Sequence, residues 1–196
     1  SVTNLIYTVF ACRQLQICIS TSVGGSVDLL RRMPVCVLLL PPDPVDGWLP
    51  HCRAVVREAA SRRVPVRPIR TGSRLDLGAW RVRVLSPSGA RPVGADPNPY
   101  SLVALASAGA LDVLLTADAE SDALAPLATG SVDVLKVSHH GPEDVRLSPE
   151  LVRLLPPVAP ISARADNASR HPRPEPLAAL ARTALAPSRT PRAHHS

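Results

Sequence analysis

Two adjacent histidines follow a buried apolar strand in the second half of the chain. His139 and His140 come one residue after the apolar run at residues 132–137, and Gly141 opens the loop that carries them. Imidazole nitrogens serve as metal ligands and as acids or bases, so histidines at a strand end indicate a site. A histidine pair can equally be solvated and idle, and for the dipeptide alone that interpretation is favoured.

Two further apolar runs end in polar groups of the ligand type. Asp118 and Glu120 follow the run that precedes the histidine strand, and Asn167 and His171 follow a short run at residues 158–161. Active-site groups commonly gather on loops at one edge of a sheet. We therefore expect these strand ends to lie together and to form a site.

The joint order of these motifs resembles the metallo-β-lactamase-like domain at the C-terminal end of ComEC, the competence protein of the bacterial DNA-uptake channel. The similarity covers roughly residues 23–182, and the joint order is far more specific than any single motif. It is carried by LLTADAE at 114–120, DVLKVSHHG at 133–141, ADN and HPRPE within 165–175, and DPNPYSLVAL at 96–105.

The resemblance implies a mixed α/β (α+β) fold, a metallo-β-lactamase-like αββα sandwich with a metal site between the sheet edges. It implies zinc or manganese, no small-molecule cofactor, and metal-dependent hydrolysis of DNA phosphodiesters. Asp118 would be the metal-bridging carboxylate, and His139 and His140 would be metal ligands, with His139 favoured. His171 and Asn167 would be catalytic residues that contact the substrate or the transition state.

Residues 1–22 differ in composition from the rest of the chain, and they coincide with the place where the resemblance requires a His-x-His-x-Asp-His type of cluster. Those positions are held by Ile17, Ile19, Thr21 and Ser22. None of these is a good metal ligand, because zinc sites take His, Cys or carboxylate groups. We therefore expect an incomplete or degenerate N-terminal part, and a chain that is inactive as given.

The chain is interpreted as an atypical segment at 1–22, the metallo-β-lactamase-like domain at 23–185, and a disordered tail at 186–196. Two alternatives stay open. The chain is a non-catalytic module that binds DNA or another part of the uptake machinery through its arginines. Otherwise residues 1–22 are a frame or boundary artefact, and the ligands lie upstream.

Composition agrees with one folded domain and permits polyanion binding. The chain has 196 residues, 45% of them hydrophobic, a formal net charge of +6, and Lys136 as its only lysine. This balance permits attraction to nucleic acid or to an anionic membrane. A dispersed basic surface that reflects a GC-rich genome is at least as good an interpretation.

The chain as given is expected to be a soluble piece of a membrane-associated protein. It has no run of the ~20 apolar residues that span a bilayer, and no convincing signal peptide. The resemblance places such a domain at the outer face of the cytoplasmic membrane, with the channel portion and the incoming single DNA strand as partners. The four cysteines match no zinc motif, and buried free thiols are expected.

Hydrophobic spacing predicts the elements that must position these groups. Ser26 and Ser148 are expected to cap helices, and Glu120 to cap a short helix. The loop from Asp96 to Pro99 is either plain turn chemistry or part of the cleft. We expect helices at residues 26–33, 51–63, 148–155 and 176–185, and strands at 35–40, 64–69, 74–77, 80–85, 101–105, 132–137 and 158–161.

Overall fold

A computed structural model describes residues 7–10, 17–20, 23–40, 50–89, 92, 95–96, 98–127, 129–144, 146–161 and 170–184. Strands β1–β9 are Tyr7–Phe10, Ile17–Ser20, Val37–Leu40, Val66–Pro68, Arg74–Leu77, Trp80–Ser86, Val103–Ala108, Leu111–Leu115 and Val134–Lys136. Helices α1–α5 are Val23–Arg32, Pro50–Ser61, Ser121–Leu124, Leu147–Leu154 and Pro174–Ala184. Short 3-10 turns are formed by Asn98–Tyr100 and Ser138–His140. The chain therefore has a mixed α/β fold.

The first sheet has the strand order β2-β1-β3-β4, with β3 and β4 parallel and the other pairs antiparallel. Two of its strands, β1 and β2, come from within residues 1–22. Successive side chains of β3 point to opposite faces, as strand geometry requires. Leu38 and Leu40 pack with α1 and α2, whereas Leu39 packs with Val84 and Leu102 of the second sheet or its loops.

The second sheet has the strand order β5-β6-β7-β8-β9, antiparallel up to β8 and parallel between β8 and β9. One of its faces contacts the first sheet, and α3, α4 and α5 cover the other face over β7–β9. The buried cluster on the helical side contains Val103, Leu114, Leu124, Leu135, Leu147, Leu151, Leu154 and Ala179. Each sheet thus has helices on one side and the other sheet on its second side.

The parallel pairing of β8 and β9 determines where the candidate site lies. Leu115 is paired with Lys136, so both strands end at the same edge of the sheet. The residues that follow β8, including Asp118, therefore lie beside the residues that follow β9, including His139. This is the arrangement that the sequence pattern predicts for these two strand ends.

Several element predictions hold, and others are wrong. The strand at 74–77 is confirmed as β5, and α2 and α5 lie within two residues of their predicted bounds. Residues 158–161 form no strand, although Val158 forms a parallel bridge with Val134 and the amides of Leu135 and Val137 donate to the carbonyls of Val158 and Pro160. Ser26 does not cap α1, because the helix begins at Val23 and Ser26 is buried within it.

The expectation of free thiols is wrong for Cys36, which is disulfide-bonded. Disulfides persist mainly in oxidising compartments, such as the exterior of the cytoplasmic membrane. Within the described part of the chain, no helix has both the length and the apolarity that a membrane span requires.

Candidate functional site

The loops after β8 and β9 are joined by hydrogen bonds between their backbones and side chains. The Thr116 hydroxyl donates to the Lys136 carbonyl at 2.6 Å, and the His139 amide donates to the Ala117 carbonyl at 3.1 Å. The Ser138 hydroxyl donates to a carbonyl of the first loop as well, that of Ala119. These groups are largely buried and have lost their hydrogen bonds to water, so leaving any of them without a partner would be costly. The two loops therefore form one rigid unit.

Lys136 adds a charge to this unit. It is 9% exposed, and its Nζ donates to the Ala117 carbonyl at 3.2 Å, the same oxygen that accepts the His139 amide. Burial lowers the pKa of the Lys136 ammonium below its ordinary value, and the nearby Asp118 carboxylate opposes that shift. Sequence reasoning assigned Lys136 no role. The signal was there, because one lysine is retained in a chain that otherwise uses arginine.

Several residues at the site have left-handed backbone conformations. Positive φ angles occur at Ala117 (53°), His139 (43°), His140 (59°), Gly141 (76°) and Arg170 (53°). Such conformations are uncommon for residues other than glycine and persist only where surrounding contacts impose them. They cluster here on the loops that carry the candidate residues, which is typical of functional sites.

Gly141 is required both for its conformation and for its lack of a side chain. A Cβ at this position would lie 3.0 Å from the Cβ of Pro172. The amide of Arg173 donates to the Gly141 carbonyl at 2.9 Å. This close approach brings the chain segment that carries His171 against the histidine loop.

Asp118 lies next to His140. The carboxylate is 1% exposed, and its Oδ1 is 4.0 Å from Nε2 of His140, whose side chain is 23% exposed. The sequence interpretation favoured His139 over His140, because His139 directly follows the strand. The left-handed backbone at His139 instead turns the next residue toward the buried carboxylate.

His139 faces a different carboxylate. Its Nδ1 is 3.8 Å from Oε1 of Glu120, and Nδ2 of Asn98 donates to the same Glu120 oxygen at 3.2 Å. The backbone N–H of Asn98 donates to Oδ1 of Asp96 at 3.0 Å. This loop therefore forms a turn at Asp96 and also contacts Glu120 beside His139.

Glu120 does not cap α3 with its side chain, although it occupies the N-cap position. Asp144 does so from a distance in sequence, accepting the Ser121 amide at 3.0 Å and the Ser121 hydroxyl at 3.1 Å. Burial acts to raise the pKa of Asp144, but the hydrogen bonds from Ser121 and Arg146 outweigh it and lower the pKa. The capping prediction for Glu120 is therefore wrong, and the carboxylate is turned toward His139 instead.

His171 completes a group of three imidazoles. Its ring centroid is 5.8 Å from that of His139, and the His139 and His140 centroids are 6.4 Å apart. Burial lowers the pKa of His171, and the positive charges of His139, Arg173 and His140 add to this, against a hydrogen bond with the Gly141 backbone. The neutral form, which can bind metals or accept protons, is thereby favoured. Asn167, predicted beside it, lies outside the described residues.

One known protein provides a comparison for this chain. The chain is 29% identical over 172 residues to ComE operon protein 3 (ComEC) of Bacillus subtilis (strain 168). The match covers 86% of this chain but 22% of the Bacillus protein, so the chain spans about a fifth of that relative's length. No family model matches the chain. The comparison supports a distant relation to ComE operon protein 3.

The described residues do not form a complete metal site. Catalytic zinc sites use three protein ligands and a water molecule. Within the described ranges, no group of three or more His, Cys, Asp or Glu side chains is placed to hold a metal ion. Asp118 and His140 are two donors of suitable chemistry, and Thr21 and Ser22 lie outside the described residues. Metal ligation by Asp118, His139 and His140 stays a prediction.

Proposed function

We propose that this chain is the metallo-β-lactamase-like domain of a ComEC-type DNA-uptake protein, with an impaired metal-dependent phosphodiesterase site. The observation that carries the proposal is the joined pair of loops at the ends of β8 and β9, which brings Asp118 to 4.0 Å from His140. The similarity to ComE operon protein 3 over 86% of the chain supports the same assignment.

The fold proposed is the αββα sandwich of that family. The support is the packing of β3, whose Leu38 and Leu40 contact helices while Leu39 contacts the second sheet. The helices α3–α5 on the far side of the second sheet support the same order of layers. A site at the shared edge of β8 and β9 agrees with this architecture.

Impaired catalysis follows from the ligand count. A bound zinc or manganese ion would supply a nucleophilic water and polarise a phosphodiester. The described residues offer two adjacent donors, Asp118 and His140, and the positions of the expected N-terminal cluster are Ile17, Ile19, Thr21 and Ser22. We therefore derive no hydrolytic step through a metal. The histidines and Asp118 would retain the shape of an ancestral site.

The proposed setting is the outer face of the cytoplasmic membrane, with DNA and the channel portion of the same protein as partners. The disulfide at Cys36 supports an oxidising compartment. This chain spans 22% of the Bacillus relative, and the rest of that relative is long enough to contain other domains.

Metal content of the purified full chain tests the proposal. We expect zinc and manganese well below one equivalent, and no cleavage of single-stranded DNA when either metal is added. Asp118→Asn and His140→Ala should lower any residual binding, because they remove the two adjacent donors. Asp76→Asn serves as the control, since Asp76 is exposed on β5.

A near-stoichiometric metal that is lost in Asp118→Asn and His140→Ala, together with DNA cleavage, would contradict the impairment. It would show a working site built from the second half of the chain.

A further inference from the structure

The positive charge of the chain is concentrated in one stretch, residues 62–83, here called the basic segment. It contains seven of the 22 basic residues but only one of the 16 acidic residues, Asp76. It therefore carries a net charge equal to the +6 of the whole chain, and the remainder is balanced. All eight of its charged side chains are exposed. A general bias toward arginine codons would spread charge and does not explain this concentration.

Three arginines of the basic segment share one face of the second sheet. Arg74 of β5 lies directly opposite Arg83 of β6, and Arg81 lies two residues along the same strand. Directly opposite residues are about 5 Å apart at Cα, and residues i and i+2 of a strand are about 7 Å apart on the same face. Val82 and Val84 point to the other face and are buried. We call Arg74, Arg81 and Arg83 the arginine face.

The arginine face carries more positive than negative charge, because Asp76 is the one acidic residue of the basic segment and lies opposite Arg81. Within the described ranges none of its three guanidinium groups forms an ion pair, although Asp76 is opposite Arg81 in the register. In contrast, Arg31 and Arg62 both pair with Glu58, at 3.2 and 2.7 Å. Like charges directly opposite each other in a sheet are destabilising. A bound anion would relieve that repulsion.

We propose that the arginine face binds the phosphodiester backbone of DNA without sequence preference. Guanidinium groups match phosphate oxygens with two parallel hydrogen bonds, which a compact ammonium cannot do. Two further exposed arginines, Arg67 and Arg70, precede the face in the chain and extend the positive surface. The choice of DNA as the polyanion rests on the proposed function.

The composition of the surface favours nucleic acid over a lipid bilayer. Insertion into a membrane interface uses exposed apolar side chains that enter the acyl region. The large apolar side chains that are exposed among the described residues lie outside the basic segment, at Leu111, Leu155, Val158 and Leu177. Trp80 is half-buried against Val82, so it offers no platform on which a base could stack. We therefore expect the arginine face to contact the phosphodiester backbone of the DNA and not its bases.

The test is the affinity of the full chain for labelled DNA, single-stranded and duplex, measured by fluorescence anisotropy between about 50 and 200 mM salt. Arg74→Gln/Arg83→Gln should bind about tenfold more weakly at the lower salt. For single strands, the slope of log K against log salt should shrink by about 1.4, since each lost phosphate contact contributes about 0.7. Comparison of the two affinities shows whether the arginine face binds single-stranded or duplex DNA.

The charge-matched control is Arg32→Gln/Arg182→Gln, whose arginines are exposed on α1 and α5. We expect its affinity to stay within about twofold of the wild type, with an unchanged salt slope. Arg74→Lys/Arg83→Lys should retain most of the slope, because the charge remains. Circular dichroism of each variant checks that the fold is kept.

Equal losses in the two glutamine variants would overturn the proposal, because only net charge would then matter. No loss in either variant would overturn it too, as would binding to anionic phosphatidylserine vesicles without binding to DNA. The metal content of Arg74→Gln/Arg83→Gln should equal that of the wild type. The arginine face can therefore fail while the proposed function stands, and the reverse.

Discussion

The loops after β8 and β9 and the basic segment, residues 62–83, treat their polar groups in opposite ways. At the loops, Lys136 and Ser138 are buried and donate to carbonyls of the neighbouring loop. In the basic segment, Arg74 and Arg83 are exposed, lie opposite each other, and form no ion pair among the described residues. The first region is held by contacts within the protein. The charges of the second are exposed to solvent, and they are the ones that we propose to bind DNA.

This difference predicts that removing a charge is costly at the loops and nearly neutral in the basic segment. Lys136→Met keeps much of the aliphatic volume but removes the donor to the Ala117 carbonyl and a positive charge near Asp118. We expect it to lower the free energy of unfolding by about 3 kcal/mol, as is typical when one member of a buried charge pair is removed. Urea unfolding monitored by circular dichroism measures this.

Arg83→Met is the matched control for Lys136→Met, since both replace a long cationic side chain on a strand. Because Arg83 is exposed and faces a like charge, we expect a change within about 0.5 kcal/mol, in either direction. Similar losses in the two variants would break the contrast between the regions.

The contrast also extends to glycines with positive φ. Gly141→Ala should destabilise the chain by about 2–3 kcal/mol, because it combines a left-handed backbone at φ 76° with a Cβ 3.0 Å from that of Pro172. Gly72→Ala, in the basic segment, shares the left-handed conformation at φ 86° but meets nothing within 4 Å. We expect it to cost about 1 kcal/mol.

Thermal or urea unfolding of the two alanine variants isolates the packing contribution, because the conformational cost is common to both. Equal destabilisation would mean that Pro172 moves aside without cost. The segment that carries His171 would then be packed less tightly against the histidine loop than the close approach of Gly141 and Pro172 indicates.

Sequence patterns predicted the regular parts of this architecture well. The alternation of Arg81 and Arg83 with Val82 and Val84 predicts a half-exposed strand, and β6 has that burial pattern. Two apolar runs that end in Asp118 and His139 predict neighbouring strand ends, and the parallel pair β8 and β9 provides them. These features depend on local periodicity, which one sequence displays.

The contacts within the site depend on backbone angles and long-range packing, which periodicity does not encode. The left-handed conformation of His139 decides which imidazole lies beside Asp118. Asp144, 23 residues away, takes the cap of Ser121 and leaves Glu120 to face His139. The apolar run at 158–161 predicted a strand, but it forms one bridge and accepts two hydrogen bonds from Leu135 and Val137 without completing a strand, and Pro160 has no amide to donate.

The smallest expected effect concerns protonation of His171, the third imidazole of the site. The pKa of His171 is lowered in the folded chain by burial and by His139, Arg173 and His140. As the pH falls below about 6.5, the ordinary value, the unfolded chain binds this proton more readily than the folded chain does. The stability that neutral His171 contributes is therefore fully present above that pH. It is lost as the pH falls from there to the folded-state pKa.

Urea unfolding of the wild type and of His171→Gln at pH 7, 6 and 5 would measure this loss. We expect the wild type to lose more stability on acidification than His171→Gln, whereas Arg74→Gln, in the exposed basic segment, should retain the wild-type dependence. Equal losses of stability on acidification in all three proteins would mean that folding does not change the pKa of His171. The contrast would then end at the two strand-end loops and would not include the segment that carries His171.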